Sequence, residues 1–211
     1  MYIPKHFAVD DLTAQHDLID ACDFGVLVSN GPDGLFATHI PLMLSRGEGA
    51  FGALYGHVAR ANPHVTLFGS EALVIFSGPH AYVSPTWYSD RTTNVPTWNY
   101  VAVHCTGIPV AIDADQLAHL SEMAKKYEGS RANGWSTSEL KPQMRETLPR
   151  GVVTFRMEIA KIEGKAKLSQ NKPASERARV IEGLRAAGEA KVAALMAREL
   201  DSVNFGQRRT S

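Results

Sequence analysis

Three short segments hold residue types that could grip an anionic, planar ligand. GHVARANP (residues 56–63) sets His57, Arg60 and Asn62 at the end of strand-like sequence. A guanidinium at a strand end suits phosphate, because its planar fork matches two oxygens at once. The same segment also reads as a solvated turn in which Pro63 starts a helix. VPTWNY (95–100) flanks Trp98 with the hydrogen-bonding side chains of Thr97 and Asn99. An aromatic face beside polar donors suits a heterocycle, although a core Trp followed by a turn Asn gives the same pattern. KLSQNKP (167–173) gathers Lys167, Ser169, Gln170 and Asn171 ahead of Pro173. Asn171 reads equally as a helix N-cap and as part of a patch recognising an anion or a carbonyl. A fourth segment, GPHAYVSPTWY (78–88), reads as a Pro-broken loop carrying Tyr82, Ser84, Trp87 and Tyr88. It fits a functional loop on a rigid scaffold or a dimer contact.

Other chemistries lack their signatures. The 8 histidines show no HxH or HExxH spacing, so no metal site is expected. Cys22 and Cys105 have no ligand spacing and no disulfide framework, and read as two buried thiols. There is no Gly-rich phosphate loop, no nucleophile elbow and no carboxylate pair in recognisable context.

The 211 residues suit one domain with a small helical appendage. Hydrophobic residues at 44% and charged residues at 21% are the composition of a globular protein. Lys plus Arg and Asp plus Glu both total 22, which argues against a chain whose main task is neutralising nucleic-acid phosphates. No apolar run approaches a membrane span and the start carries no signal-peptide pattern, so the expected location is the cytoplasm.

The elements that must position these residues follow from periodicity. A short helix is expected over 10–22, then strands over 24–30 and 35–44 joined at GPDG. A strand over 51–58, a short helix over 63–68 and a strand over 72–76 covered on both faces come next. A long strand over 98–113 shows Val101, Val103 and Cys105 on one face, then Ile108, Val110 and Ile112 beyond Gly107. That phase change predicts a β-bulge at the glycine. Helices are expected over 114–127 and 138–148, a strand over 153–159, and a helix over 173–200 interrupted near Gly188. Antiparallel strands with few helices between them give a small β-barrel of α+β class.

MYIPKHF, the NGPDG turn, GHVARANP, the GPxAYxSPxWY and IEGKxKLSQN patterns and VPTWNY occur together and in order from residue 1 to about 187. In this the chain resembles the PaiB-like family of FMN-binding negative transcriptional regulators. The resemblance implies an FMN-binding split β-barrel, an antiparallel Greek-key barrel related to pyridoxamine-phosphate oxidase, over 1–172. A C-terminal helical extension over 173–204 and a flexible tail over 205–211 would follow. FMN would lie at a homodimer interface. His57, Arg60 and Asn62 would approach its phosphate and ribityl chain, and Thr97, Trp98 and Asn99 would border the ring. Lys167, Ser169, Gln170 and Asn171 would join from the late strand-to-helix corner, and Thr38 and His39 from an early strand. Latent oxidoreductase activity on a small molecule is the leading functional expectation. A DNA-binding repressor with the flavin as redox sensor, and a haem-binding or haem-degrading barrel, are the alternatives. The sequence shows no helix-turn-helix signature, and Arg177, Arg179, Arg185, Lys191 and Arg198 are interleaved with Glu176, Glu182, Glu189 and Glu199.

Overall fold

The structure, a computed structural model, describes residues 1–112 and 116–207. In chain order its elements are β1 (Ala8–Val9), α1 (Leu12–Ala21), β2 (Phe24–Gly31), β3 (Gly34–Pro41), β4 (Met43–Ser45), β5 (Ala53–Ala59) and β6 (Ala72–Val83). Then come β7 (Thr97–Ala111), α2 (Gln116–Glu128), α3 (Pro142–Thr147), β8 (Val152–Lys167), α4 (Ala174–Ala186) and α5 (Ala190–Gln207). The strands form one sheet in the order β3-β2-β6-β7-β8-β5-β4, with β1 added on β8. The path is open, with β3 and β4 at its ends.

The β2–β3 hairpin turns where GPDG predicts it. Gly31 pairs with Gly34, which sits at φ +105°, a conformation open to glycine at little cost. The partner strand expected over 35–44 is interrupted at Leu42, a fully buried residue between Pro41 and Met43. Proline lacks the N–H that would continue the ladder.

Three expectations are corrected. Residues 78–83 are not loop: β6 runs on to Val83, burying Ala81 and Val83 and exposing Tyr82. Only Pro85–Trp87 forms a tight 3-10 turn, which the Ser84 hydroxyl caps by accepting from Thr86 N. The phase change that predicts a bulge at Gly107 is not seen in the burial of β7. Burial along β7 alternates without a phase change from Asn99 to Pro109, leaving Ile108 and Val110 51% and 52% exposed. Gly107 is required for another reason: a Cβ there would collide with the Glu158 carbonyl of β8. The helix expected over 138–148 is split by proline geometry into a 3-10 turn (Thr137–Glu139), α3 and a second 3-10 turn (Leu148–Gly151).

The two C-terminal helices separate at Gly188, φ +81°, as the sequence implies. Asn171 does not cap α4. Pro173 holds the N-cap position, with no side-chain bond. The start expected for α2 at Ala114, like residues 208–211 of the expected tail, lies outside the described residues; α5 itself continues to Gln207.

The chain divides into two compact units. Unit 1 comprises Met1–Leu18, Ser77–Val103 and the chain from Glu163 onward; unit 2 comprises Ile19–Phe76 and His104–Ile162. The unit 1 core joins Val83, Tyr88, Val101 and Leu168 to Val180, Leu184 and Met196 of α4 and α5. Unit 2 buries Leu27, Leu42, Leu54, Phe76, Phe155 and Met157. There Gly56 admits Leu42 and Phe155 where a Cβ would touch both. Cys105 is fully buried, its thiol pushed up to about 12 by desolvation, whereas Cys22 is only half-buried.

Gly107→Ala forces a methyl onto a backbone carbonyl. A stability loss of about 1–3 kcal/mol is expected, read as a lower urea midpoint at unchanged slope. An unshifted midpoint would show that β7 and β8 do not approach so closely.

Candidate functional site

In unit 2 the GHVARANP corner is held by a buried polar network. The His64 ring is fully buried, with Nδ1 2.8 Å from Thr38 Oγ1 and Nε2 3.0 Å from Ser29 Oγ. Asn62 Oδ1 accepts from His64 N at 2.9 Å, capping the 3-10 turn Pro63–Leu67, and its Nδ2 donates to Thr38 Oγ1 at 3.3 Å. Burial lowers the His64 pKa, so the imidazole is neutral and both nitrogens are satisfied by hydroxyls. Thr38 and Asn62 therefore come together, through a histidine and a serine that the sequence candidates did not include. The only signal for His64 was its place two residues after Asn62, where a capped turn begins.

His57 leaves β5 towards α2, its Nδ1 3.1 Å from His119 Nε2, with the rings edge to face. Desolvation lowers both pKa values, and with the charge of His57 added, His119 falls to about 4. Arg60 is exposed and fixed by the start of β8. Its Nε donates to the Arg150 carbonyl at 2.7 Å and its Nη2 to that of Val152 at 2.9 Å. A guanidinium carries five N–H donors, so three stay uncommitted among the described residues. His39 lies on β3, exposed, its ring 6.4 Å from Phe24.

The remaining candidates lie in unit 1. Asn99 is fully buried, donating to Ser169 Oγ at 3.0 Å and accepting from it at 3.2 Å. Ser169, at φ +64°, is the one non-glycine residue with positive φ among the described residues. Lys167 Nζ donates to Thr97 Oγ1 at 2.7 Å and to the Trp98 carbonyl at 2.6 Å. Thr97, Lys167, Ser169 and Asn171 line one cleft of about 230 Å³. Gln170 closes its own turn, accepting from Leu168 N and donating to the Ala166 carbonyl, both at 2.7 Å. Trp98 points to the face of β7 opposite Thr97 and Asn99. There it is 54% exposed and meets Tyr82 edge-on, with ring centres 6.0 Å apart. Adjacent strand residues face opposite ways, so the trio does not present one continuous surface.

Among the described residues no group of three or more His, Cys, Asp or Glu side chains is placed to hold a metal, and no helix is long and apolar enough to cross a membrane.

Residues 1–161 match a family model described as "Putative FMN-binding domain". The chain belongs to this FMN-binding family. PAI 2 of Bacillus subtilis, named a protease synthase and sporulation protein, is 37% identical over 187 residues, covering 87% of this chain and 89% of its own; it makes this FMN-binding family member PaiB-like. The flavocytochrome Anf3 from Azotobacter vinelandii superposes with a TM-score of 0.60 at 15% identity, over 78% of this chain and 72% of its own. An FAD- and haem-binding protein from Mycobacterium smegmatis gives 0.60 at 16%, over 81% and 78%. At such identities these two show the fold alone, which is the expected split barrel of α+β class. The family match ends before the KLSQNK corner begins.

The three depressed histidines set an acid limit on stability. Each folded-state pKa lies below the ordinary 6.5, so the unfolded chain takes up protons first. The stabilisation is then complete above pH 6.5 and is lost as pH falls below it, for His119 down to about 4. The urea midpoint should fall through that window, and His119→Gln should flatten part of the fall. An identical pH profile in that variant would refute the role of the pair.

Proposed function

We propose that this chain binds FMN as a homodimer and holds it for redox chemistry on a small molecule. The observation that carries the reading is Arg60. The residue sits within the stretch matched to the FMN-binding family, braced on two backbone carbonyls with three N–H donors still available among the described residues. A pre-oriented guanidinium suits a phosphate terminus, because little side-chain freedom is lost when the anion arrives. Asn62 and Thr38, locked by His64, fix the backbone of the same corner. Bound FMN supplies one- and two-electron transfer, while the chain supplies grip, orientation and a dry wall.

The homodimer follows the family resemblance and is supported by the outer face of unit 2. β3 is an edge strand whose Leu35 is 81% exposed, and Ala37 lies opposite Val28 on β2, which pairs onward with Leu73. Ile108 and Val110 of β7 add to the uncovered apolar area. A second copy of the same chain is the occupant that satisfies both the edge and the face.

The basic residues of α4 lend no support to direct DNA binding. Arg177 is buried, feeling Glu199, Arg185 pairs with Glu182, and exposed Arg179 stands near Glu176, so they do not form an exposed cationic stripe.

The visible spectrum of the purified chain is the first test: flavin bands support the reading, and a haem Soret band in their place overturns it. Arg60→Ala should weaken FMN retention by roughly 1.5–3 kcal/mol, the range for a hydrogen bond to a charged group. Unchanged flavin content in a variant that melts like the parent would remove Arg60 from the phosphate. Sedimentation should give a dimer mass, with Leu35→Glu shifting it towards monomer. A monomeric parent that retains FMN would contradict the shared assembly.

A further inference from the structure

The corner after β8 lies beyond the family match and has its own chemistry. Its cleft in unit 1 has apolar walls from Phe7, Tyr88 and Val95, and Lys167 and Lys172 bring two ammonium groups to it. No carboxylate among the described residues lines it. Lys172 Nζ donates to Asn94 Oδ1 at 2.6 Å and stands 5.2 Å over the Tyr88 ring; Lys167 Nζ stands 5.9 Å over Phe7. An ammonium has three donors. One on Lys167 and two on Lys172 are therefore uncommitted among the described residues, and neither lysine makes a salt bridge there. Glu176, which feels Lys172 through space, is held by Ser89.

Two cations with no carboxylate among the described residues lining their partly buried cleft are costly to keep. Desolvation, with Lys165 nearby, depresses the Lys167 pKa, the direction an incoming anion would reverse. The backbone adds a second, independent sign. Ser169 lines the same cleft in a left-handed conformation, held there by buried Asn99. Strain of that kind persists only where the surroundings impose it, and it gathers at ligand sites.

We propose that this cleft binds the oxyanion of a small-molecule substrate, a phosphate monoester in preference to a carboxylate, and that this group is not the cofactor's own phosphate. The preference follows from donor supply: the free ammonium protons plus the Asn171 amide exceed what two carboxylate oxygens use well. The binding stands without the flavin reading; only its role as a substrate site rests on that reading.

The test is calorimetric titration of inorganic phosphate, and separately of acetate, into the full chain with and without added FMN. Phosphate should bind more tightly than acetate in both cases. Lys172→Ala should weaken phosphate at least tenfold, Lys172→Arg should restore most of it, and Lys191→Ala on the exposed face of α5 should change nothing. Flavin absorbance should be the same in all four proteins. If Lys172→Ala melts early, Asn94→Ala removes the anchor of Lys172 without removing charge and should weaken phosphate in the same direction. No phosphate binding by the parent, or equal binding by Lys172→Ala, overturns the site. Acetate binding as well as phosphate overturns the preference. Loss of FMN in Lys172→Ala gives the cleft to the cofactor's phosphate and overturns the separation. A parent that binds phosphate but no flavin keeps this site and sinks only the FMN reading.

Discussion

The buried pair between Asn99 and Ser169 is the constraint on which unit 1 is organised. Asn99 has no access to water, so its amide must find partners within the protein, and Ser169 supplies both a donor and an acceptor. That exchange holds Ser169 in a backbone conformation a serine rarely keeps. The turn it imposes ends β8, brings Lys172 back beside Asn94, and launches α4 over the core. Lys167 reinforces the junction by tying the end of β8 to Thr97 and the Trp98 carbonyl at the start of β7. Breaking one buried hydrogen bond here would release a strained turn as well as a contact.

Unit 2 solves a similar problem with a histidine. The chain leaving β5 must turn at Asn62, and a corner of exposed polar residues has little packing to define it. His64 supplies the definition by inserting a neutral ring between the hydroxyls of Thr38 and Ser29, while Asn62 both caps the turn and reaches Thr38. A low-dielectric interior strengthens such a network when every member is paired. The same burial ties its integrity to pH, since a protonated imidazole could no longer accept from either hydroxyl. Arg60 departs from this corner already braced, which is why its remaining donors have a defined direction.

The candidate segments were legible because they combine unusual residue types with strand punctuation. Thr97, Lys167, Ser169 and Asn171 do converge on one cleft. Asn99 is fully buried and paired with Ser169. Ser29, His64, Asn94 and Lys172 escaped notice: a buried Ser, a His after a Pro, and an Asn and a Lys beside better-marked neighbours look ordinary until distant strands meet. The error at Gly107 is instructive in the same way. An apolar phase change resembles a bulge in one dimension, yet Ile108 and Val110 face outward because the sheet is uncovered there, and the glycine answers to a carbonyl on β8.

By itself the sequence determined the α+β class, the hairpin at Gly34, the helix break at Gly188 and the family of FMN-binding domains. Each of these depends on local backbone freedom, on periodicity, or on motifs that survive as strings. Only the tertiary structure decided which face each strand buries, that Trp98 and Asn99 look opposite ways, and that two lysines five residues apart share a cleft with no carboxylate among its described lining residues. Those outcomes depend on what the rest of the chain places opposite a residue, and desolvation, like hydrogen-bond partnership, is a property of the neighbours rather than of the residue.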